Sequence, residues 1–204
     1  MSTHLVPTPR APRQRPQAAG AQNRFMREFV ETVLLTLLVY LVVRASVQFT
    51  PIEGPSMEPW LHAPDSAIVN QLAYIFSSPQ RGDVIVLHPP DDPSTQYIKR
   101  IIAIPGDSIE LSANSVIVNG VTLHETYVNP ADNSPNENGP ILGPTHLGPG
   151  QYFVMGDNRG DSSDSRVFGA VPRQNIVGKA EVIIWPFDQL HFIPTYHEVY
   201  AGLK

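Results

Sequence analysis

The sequence predicts an all-β, barrel-like antiparallel domain preceded by one N-terminal transmembrane helix. Three observations carry that prediction. From Ser66 onward, short runs rich in Ile and Val recur between Gly, Pro and Asn turns. Their uneven spacing favours a barrel-like path over a regular sandwich. Asn119-Gly120 sits between Val116-Ile117-Val118 and Val121-Thr122-Leu123, a hairpin signal because both turn residues tolerate positive φ. Residues 29–49 are apolar, with no charge from 32 to 43, and a helix of about 20 residues spans about 30 Å, the thickness of a hydrocarbon core.

Taken in chain order, residues 1–27 are rich in Pro, Arg, Gln and Ala and are expected to form a disordered, basic cytoplasmic tail. Pro9-Arg10-Ala11-Pro12 fits a PxxP pattern, a chance match in such a tail. Residues 28–50 are expected to be the anchor, with Glu31 and Arg44 near its ends, where long side chains reach headgroups. Five arginines precede it against Glu28 alone. That bias orients a single-pass plasma-membrane protein with its N-terminus in the cytoplasm and residues 51–204 outside. A cleaved signal peptide or a buried helix of a soluble fold are the competing readings. No small-x-small site follows the apolar run, and Arg44 stands where one is expected.

Strands are predicted at residues 66–70, 83–88, 96–104, 115–123, 151–155 and 181–185. Arg81-Gly82-Asp83 and Pro105-Gly106-Asp107 read as turns, and the Pro/Gly/Asn-rich stretch 129–150 as loop. The 204 residues are 42% hydrophobic, enough for one domain with a real core plus appendages. The absence of cysteine excludes disulfides, thiolate metal sites and a cysteine nucleophile. From Pro51 onward eight basic residues face seventeen acidic ones, so nucleic-acid binding lacks its electrostatic driving force. The seven histidines show no His-Glu-x-x-His pairing, and neither a metal nor a cofactor is expected.

Three places carry candidate chemistry. Ser56 lies in Glu53-Gly54-Pro55-Ser56-Met57-Glu58-Pro59, a Gly/Pro-framed turn able to present a hydroxyl and leave backbone N–H groups free for an oxyanion. The alternative is an ordinary turn serine; the α/β-hydrolase elbow fails for want of its closing glycine. Lys99 lies in Tyr97-Ile98-Lys99-Arg100, sharing a strand face with Tyr97, Ile101 and Ala103. A free lysine leaves roughly one molecule in 2,500 neutral at pH 7, but burial can lower its pKa and make it a usable base. Otherwise it is an edge lysine in solvent. The third place is residues 156–166, Gly-Asp-Asn-Arg-Gly-Asp-Ser-Ser-Asp-Ser-Arg, too dense in short polar groups for a routine connection. A calcium loop from Asp157, Asn158, Asp161 and Asp164 lacks the terminal glutamate of an EF-hand. A serine beside a lysine kept neutral can cleave a peptide bond without histidine.

The ordered set, an apolar segment, Gly54-Pro55-Ser56-Met57-x-Pro59, residues 97–107 and residues 156–166, resembles type I signal peptidases over residues 28–187. Lysine at position 99 is similar to the bacterial and organellar branch. The resemblance implies a membrane-anchored serine endopeptidase cutting signal peptides of preproteins after Ala-x-Ala-type sites, needing no cofactor and acting as a monomer at the lipid surface. It implies Ser56 as nucleophile, with its N–H as one oxyanion donor, and Lys99 as general base. It also implies that Ser162 holds the Lys99 nitrogen, and that Asp164 and Arg166 form a supporting buried ion pair. Ile52, Met57, Leu61, Tyr97 and Ile98 would line shallow apolar substrate pockets. Many relatives carry a hydroxyl residue where this chain has Gly54, so a backbone group or water must supply the second oxyanion donor; Trp60 stands where threonine is usual. A protease with one dedicated substrate, and a non-catalytic envelope protein binding peptides, are the alternatives.

Overall fold

The computed structural model describes residues 18–129, 135–136 and 139–203. The chain divides into two compact units, residues 1–43 and 44–204. The helix α1 spans Ala18–Ser46. Its run of Leu, Met, Glu and Arg carries no proline, and Arg24–Glu28 and Arg27–Glu31 pair at i,i+4 spacing. The hydroxyls of Thr32 and Thr36 donate to carbonyls one turn back, and side chains from residue 24 to 44 are exposed. Among the described residues no helix is long and apolar enough to cross a membrane.

Two expected boundaries shift. The helix begins within the stretch assigned to the disordered tail, because residues 18–27 are free of proline and rich in helix formers; the rest of the tail lies outside the described residues. The segment expected to end the anchor at residue 50 instead forms a strand, β1, over Val47–Pro51, paired in register with β2, Ser66–Asn70. Phe49 and β-branched Val47 and Thr50 favour a pleated path, and β2 supplies the partner edge.

The remaining strands are β3 (Val84–Leu87), β4 (Tyr97–Ala103), β5 (Ser108–Ser112), β6 (Ser115–Val118), β7 (Val121–Thr122), β8 (Leu142–His146), β9 (Gln151–Met155), β10 (Val171–Pro172), β11 (Ile176–Trp185) and β12 (His191–Phe192). A one-turn helix, α2 (Ser165–Phe168), follows β9. All pairings are antiparallel. The larger sheet runs β1-β2-β11-β3-β4-β9-β10 with β12 beside β11; the smaller runs β7-β6-β5-β8. The hairpin turn is where the sequence put it, with Asn119 at φ 51° and Gly120 at φ 78°.

The larger sheet is a curled half-barrel and not a closed one, since its path ends at β1 and β10. Register shifts in β11 against both neighbours, and between β4 and β9, bend it. Three strands lie between β1 and β4, a gap of roughly 19 Å in a flat sheet at about 4.8 Å per strand. Yet Gln48 of β1 donates to Gln96, just before β4, at 2.9 Å. The curl therefore brings the β1 edge to the start of β4. One apolar cluster, including Ile52, Met57, Leu61, Val84, Ile98 and Ile183, fills the inside of that curve. Another, including Ile102, Leu111, Val118, Tyr127 and Met155, joins the two sheets.

Besides β1, the strands β5, β8, β10 and β12 escaped the sequence reading. β5 buries only Ile109 and Leu111 between polar residues, and β8 carries Gly143 and Pro144 inside a stretch that reads as loop.

Candidate active site

Ser56 sits in a tight turn. Glu58 N–H donates to the Pro55 carbonyl at 3.0 Å, and the N–H groups of Trp60 and Leu61 to the Met57 carbonyl at 3.2 and 3.1 Å. Met57 and Leu61 point into the core, each 1% exposed. Gly54 enters the turn at φ 79°, a conformation that favours glycine. Asn158 grips the same turn twice: its N–H donates to the Ser56 carbonyl and its Nδ2 to the Pro55 carbonyl, both at 3.1 Å. The hydroxyl is thus presented by a backbone fixed on several sides. The Ser56 N–H has no acceptor among the described residues.

Lys99 is 3% exposed on β4. Its Nζ lies 2.8 Å from Ser56 Oγ and donates to the Ile98 carbonyl at 2.9 Å. Burial lowers its pKa to about 8; Asp164 and Asp157 oppose that shift and Arg166 adds to it. About one molecule in ten is then neutral at pH 7, several hundred times the fraction of a free lysine. A neutral amine has a lone pair, and the Ser56 O–H is placed to donate to it.

Ser162 does not hold the lysine nitrogen, as the resemblance had implied. Its hydroxyl donates to Asp164 Oδ2 at 2.7 Å. Asp164 and Arg166 form a buried bidentate pair with both bonds at 2.9 Å and side chains 0% and 4% exposed. Burial pushes the Asp164 carboxyl up, but Arg166, the Gly156 N–H and the Ser162 hydroxyl outweigh it and hold it below the usual carboxylate range. The carboxylates considered for a calcium loop are largely committed: Asp157 to Arg100 and Asp164 to Arg166. Among the described residues no group of three or more His, Asp or Glu is arranged for a metal.

A cleft of about 460 Å³ opens over Ser56 and Lys99. Thr50, Pro51 and Glu53 form one wall, and residues 94–98 the other. Of the five residues expected to line substrate pockets, Tyr97 and Ile98 do so. Ile52, Met57 and Leu61 do not; they pack behind Ile98 in the core. A turn that must hold its serine still needs buried anchors, and those are its apolar side chains. β9 pairs with β4 only from Arg100 onward, so residues 97–99 keep an edge free on the side away from β3, facing the cleft.

Several supporting residues were missed by the sequence reading. Asn158 is one. Gly156 is another: a Cβ there would collide with the Ser56 carbonyl oxygen and with Ser162 Oγ, so only glycine lets this loop lie against the Ser56 turn. Arg100 and Asp157 form a bidentate pair at 2.9 and 2.7 Å, each 1% exposed. Arg159 pairs with Glu125 at 2.6 Å, both side chains fully buried. The density of polar residues in 156–166 was the available signal; their partners at 100 and 125 are distant in sequence and gave none. Gly156→Ala is expected to lower kcat by about 100-fold, because a displacement of about 1 Å at a reacting group has that effect. Steady-state kinetics showing kcat within threefold of the parent would refute the close contact.

The family described as signal peptidase, peptidase S26, matches residues 26–185. A signal peptidase I of Leptolyngbya laminosa is 36% identical over 196 residues, covering 90% of this chain and 92% of the relative. Signal peptidase I P of Bacillus subtilis subsp. natto is 33% identical over 171 residues, covering 80% and 91%. A crystal structure of a signal peptidase I from Enterococcus faecalis V583 is similar at 30% identity over 50% of this chain and 97% of that one, with a TM-score of 0.39. The family match over most of the chain, and relatives aligned along nearly their whole length, show that the chain belongs to the signal peptidase family, peptidase S26.

Proposed function

We propose that this chain is a membrane-anchored serine endopeptidase that removes signal peptides from exported preproteins after Ala-x-Ala-type sites. The observation that carries the chemistry is Lys99 Nζ, 3% exposed as a residue, 2.8 Å from Ser56 Oγ. In this reading Ser56 Oγ attacks the carbonyl carbon before the scissile bond as its proton passes to Lys99. The Ser56 N–H receives the oxyanion. The Lys99 ammonium then protonates the departing amine, leaving an acyl-serine and the mature chain. Water, activated by the same amine, releases the signal peptide as its carboxylate and restores both groups.

The substrate backbone adds as a strand along the free edge of residues 97–99, which recognises an extended peptide with little demand on side chains. Small residues before the scissile bond suit the shallow floor at Ile98. The apolar part of α1, from residue 28 to 46, acts as the anchor, the residues before it as the cytoplasmic side, and the domain from β1 onward lies outside the plasma membrane, working as a monomer at the lipid surface. The charge-free residues 32–43 and the arginines before them support that orientation.

A serine-directed acylating inhibitor tests the reading. It is expected to add its mass to the intact chain at Ser56, and Ser56→Ala is expected to lose both the label and cleavage of a model Ala-x-Ala preprotein. A chain that binds the preprotein but takes no label at Ser56 is a peptide-binding protein and not this enzyme.

A further inference from the structure

The family match ends at residue 185, but the chain that follows packs against the residues behind the site. Ile193 packs in the same cluster as Met57 and Leu61. The Pro194 carbonyl accepts from Arg100 Nη1 at 3.0 Å. The Tyr200 and Tyr127 hydroxyls share a hydrogen bond of 2.5 Å inside the protein. Between them stands Tyr196, at φ 51° and ψ 41°.

That backbone state is costly for a residue with a bulky side chain. Among the described residues, only Asn119 and Tyr196 combine a side chain with positive φ, and Asn119 belongs to a hairpin turn that calls for it. Tyr196 is held there by packing. Its ring lies 6.2 Å from the Trp60 ring and 5.4 Å from the Tyr127 ring, and the Arg100 guanidinium sits 5.2 Å from its centre. Trp60 in turn is four residues past Ser56 in the same turn, and its indole N–H donates to the Tyr127 carbonyl at 2.8 Å.

We propose that the C-terminal segment positions the nucleophile, with Tyr196 fixing Trp60 and Trp60 fixing the Ser56 turn. The proposal rests on the reading of Ser56 as nucleophile. Met57 and Leu61 anchor the turn in the core, and Asn158 holds its first two carbonyls. Trp60, one residue before the buried Leu61, adds a further tie: it is 41% exposed, and its side chain is held by the indole bond to the Tyr127 carbonyl and the ring contact with Tyr196. Proton transfer from Ser56 to Lys99 needs a separation near 3 Å, so small freedom in this turn acts on the chemical step more than on substrate binding. The contacts belong to the Tyr196 ring and not to its hydroxyl.

The test uses the full-length chain and a model Ala-x-Ala preprotein. Tyr196→Ala and Trp60→Ala are each expected to lower kcat about tenfold with KM within about twofold, and Tyr196→Phe to keep the parent kcat. The double variant is expected to be little slower than the slower single, because the Trp60–Tyr196 ring contact is lost in both. Tyr196→Gly separates positioning from folding: glycine suits this backbone and should melt no lower than Tyr196→Ala, but should be equally slow. An unchanged kcat in Tyr196→Ala, losses that multiply in the double variant, or recovery of kcat in Tyr196→Gly would each overturn the proposal. A parent chain that neither cleaves the preprotein nor labels at Ser56 would instead overturn the assignment of the nucleophile.

Discussion

Lys99→Arg is expected to abolish cleavage, lowering kcat by roughly 10⁴-fold, the upper end of what a general base contributes. The substitution keeps the positive charge and most of the volume, but guanidinium does not surrender its proton near neutral pH. The burial that lowers the Lys99 pKa to about 8 therefore has no counterpart in the variant. The same argument fixes the pH dependence of the parent. Below pH 8 the amine is mostly protonated and cannot accept the Ser56 proton. The ratio kcat/KM should then rise about tenfold per pH unit on the acid side and level off near pH 8. A pH profile flat from 6 to 9, or substantial turnover in Lys99→Arg, would remove Lys99 from the role of base. Loss of activity in Lys99→Arg without loss of fold is checked by its thermal melt.

How much of this was legible in the sequence differs by element. The strand at Ser66–Asn70, the β4 run and the Asn119-Gly120 hairpin were readable because Ile and Val clusters and turn residues report directly on local backbone. β1 was not, because Val47 and Phe49 follow the hydrophobic run of α1 with only Arg44, Ser46 and Gln48 interrupting, and only the partner edge at β2 makes them a strand. The Ser56 and Lys99 side chains were nameable from their local settings, and the structure brings them together. The fate of Ile52, Met57 and Leu61 was not legible, since an apolar residue beside a nucleophile reads the same whether it faces the cleft or the core. Ser162 differs for a related reason: sequence offers a hydroxyl but not its direction, and here it points its O–H at Asp164.

Asp157→Asn tests the support behind the dyad and is expected to have the largest effect on stability. Arg100 and Asp157 are each 1% exposed, and the guanidinium lies 4.5 Å from the centre of the Tyr127 ring. Removing only the carboxylate charge leaves a buried guanidinium without its counterion, which costs about 3–5 kcal/mol. Arg100 cannot escape by losing its proton: burial pushes its pKa down, but a guanidinium starts so far above any working pH that it stays charged. Activity should fall as well, because Asp157 precedes Asn158, whose N–H and side chain hold the carbonyls of Ser56 and Pro55. The double replacement Arg100→Met with Asp157→Leu should recover part of the stability, since an apolar pair replaces the ions. Recovery stays partial because Arg100 also donates to the Gly82 and Pro194 carbonyls, which a methionine leaves unpaired. Urea unfolding separates the cases. An Asp157→Asn variant within about 1 kcal/mol of the parent, the range of an exposed pair, would mean that the pair is far better solvated than its burial implies.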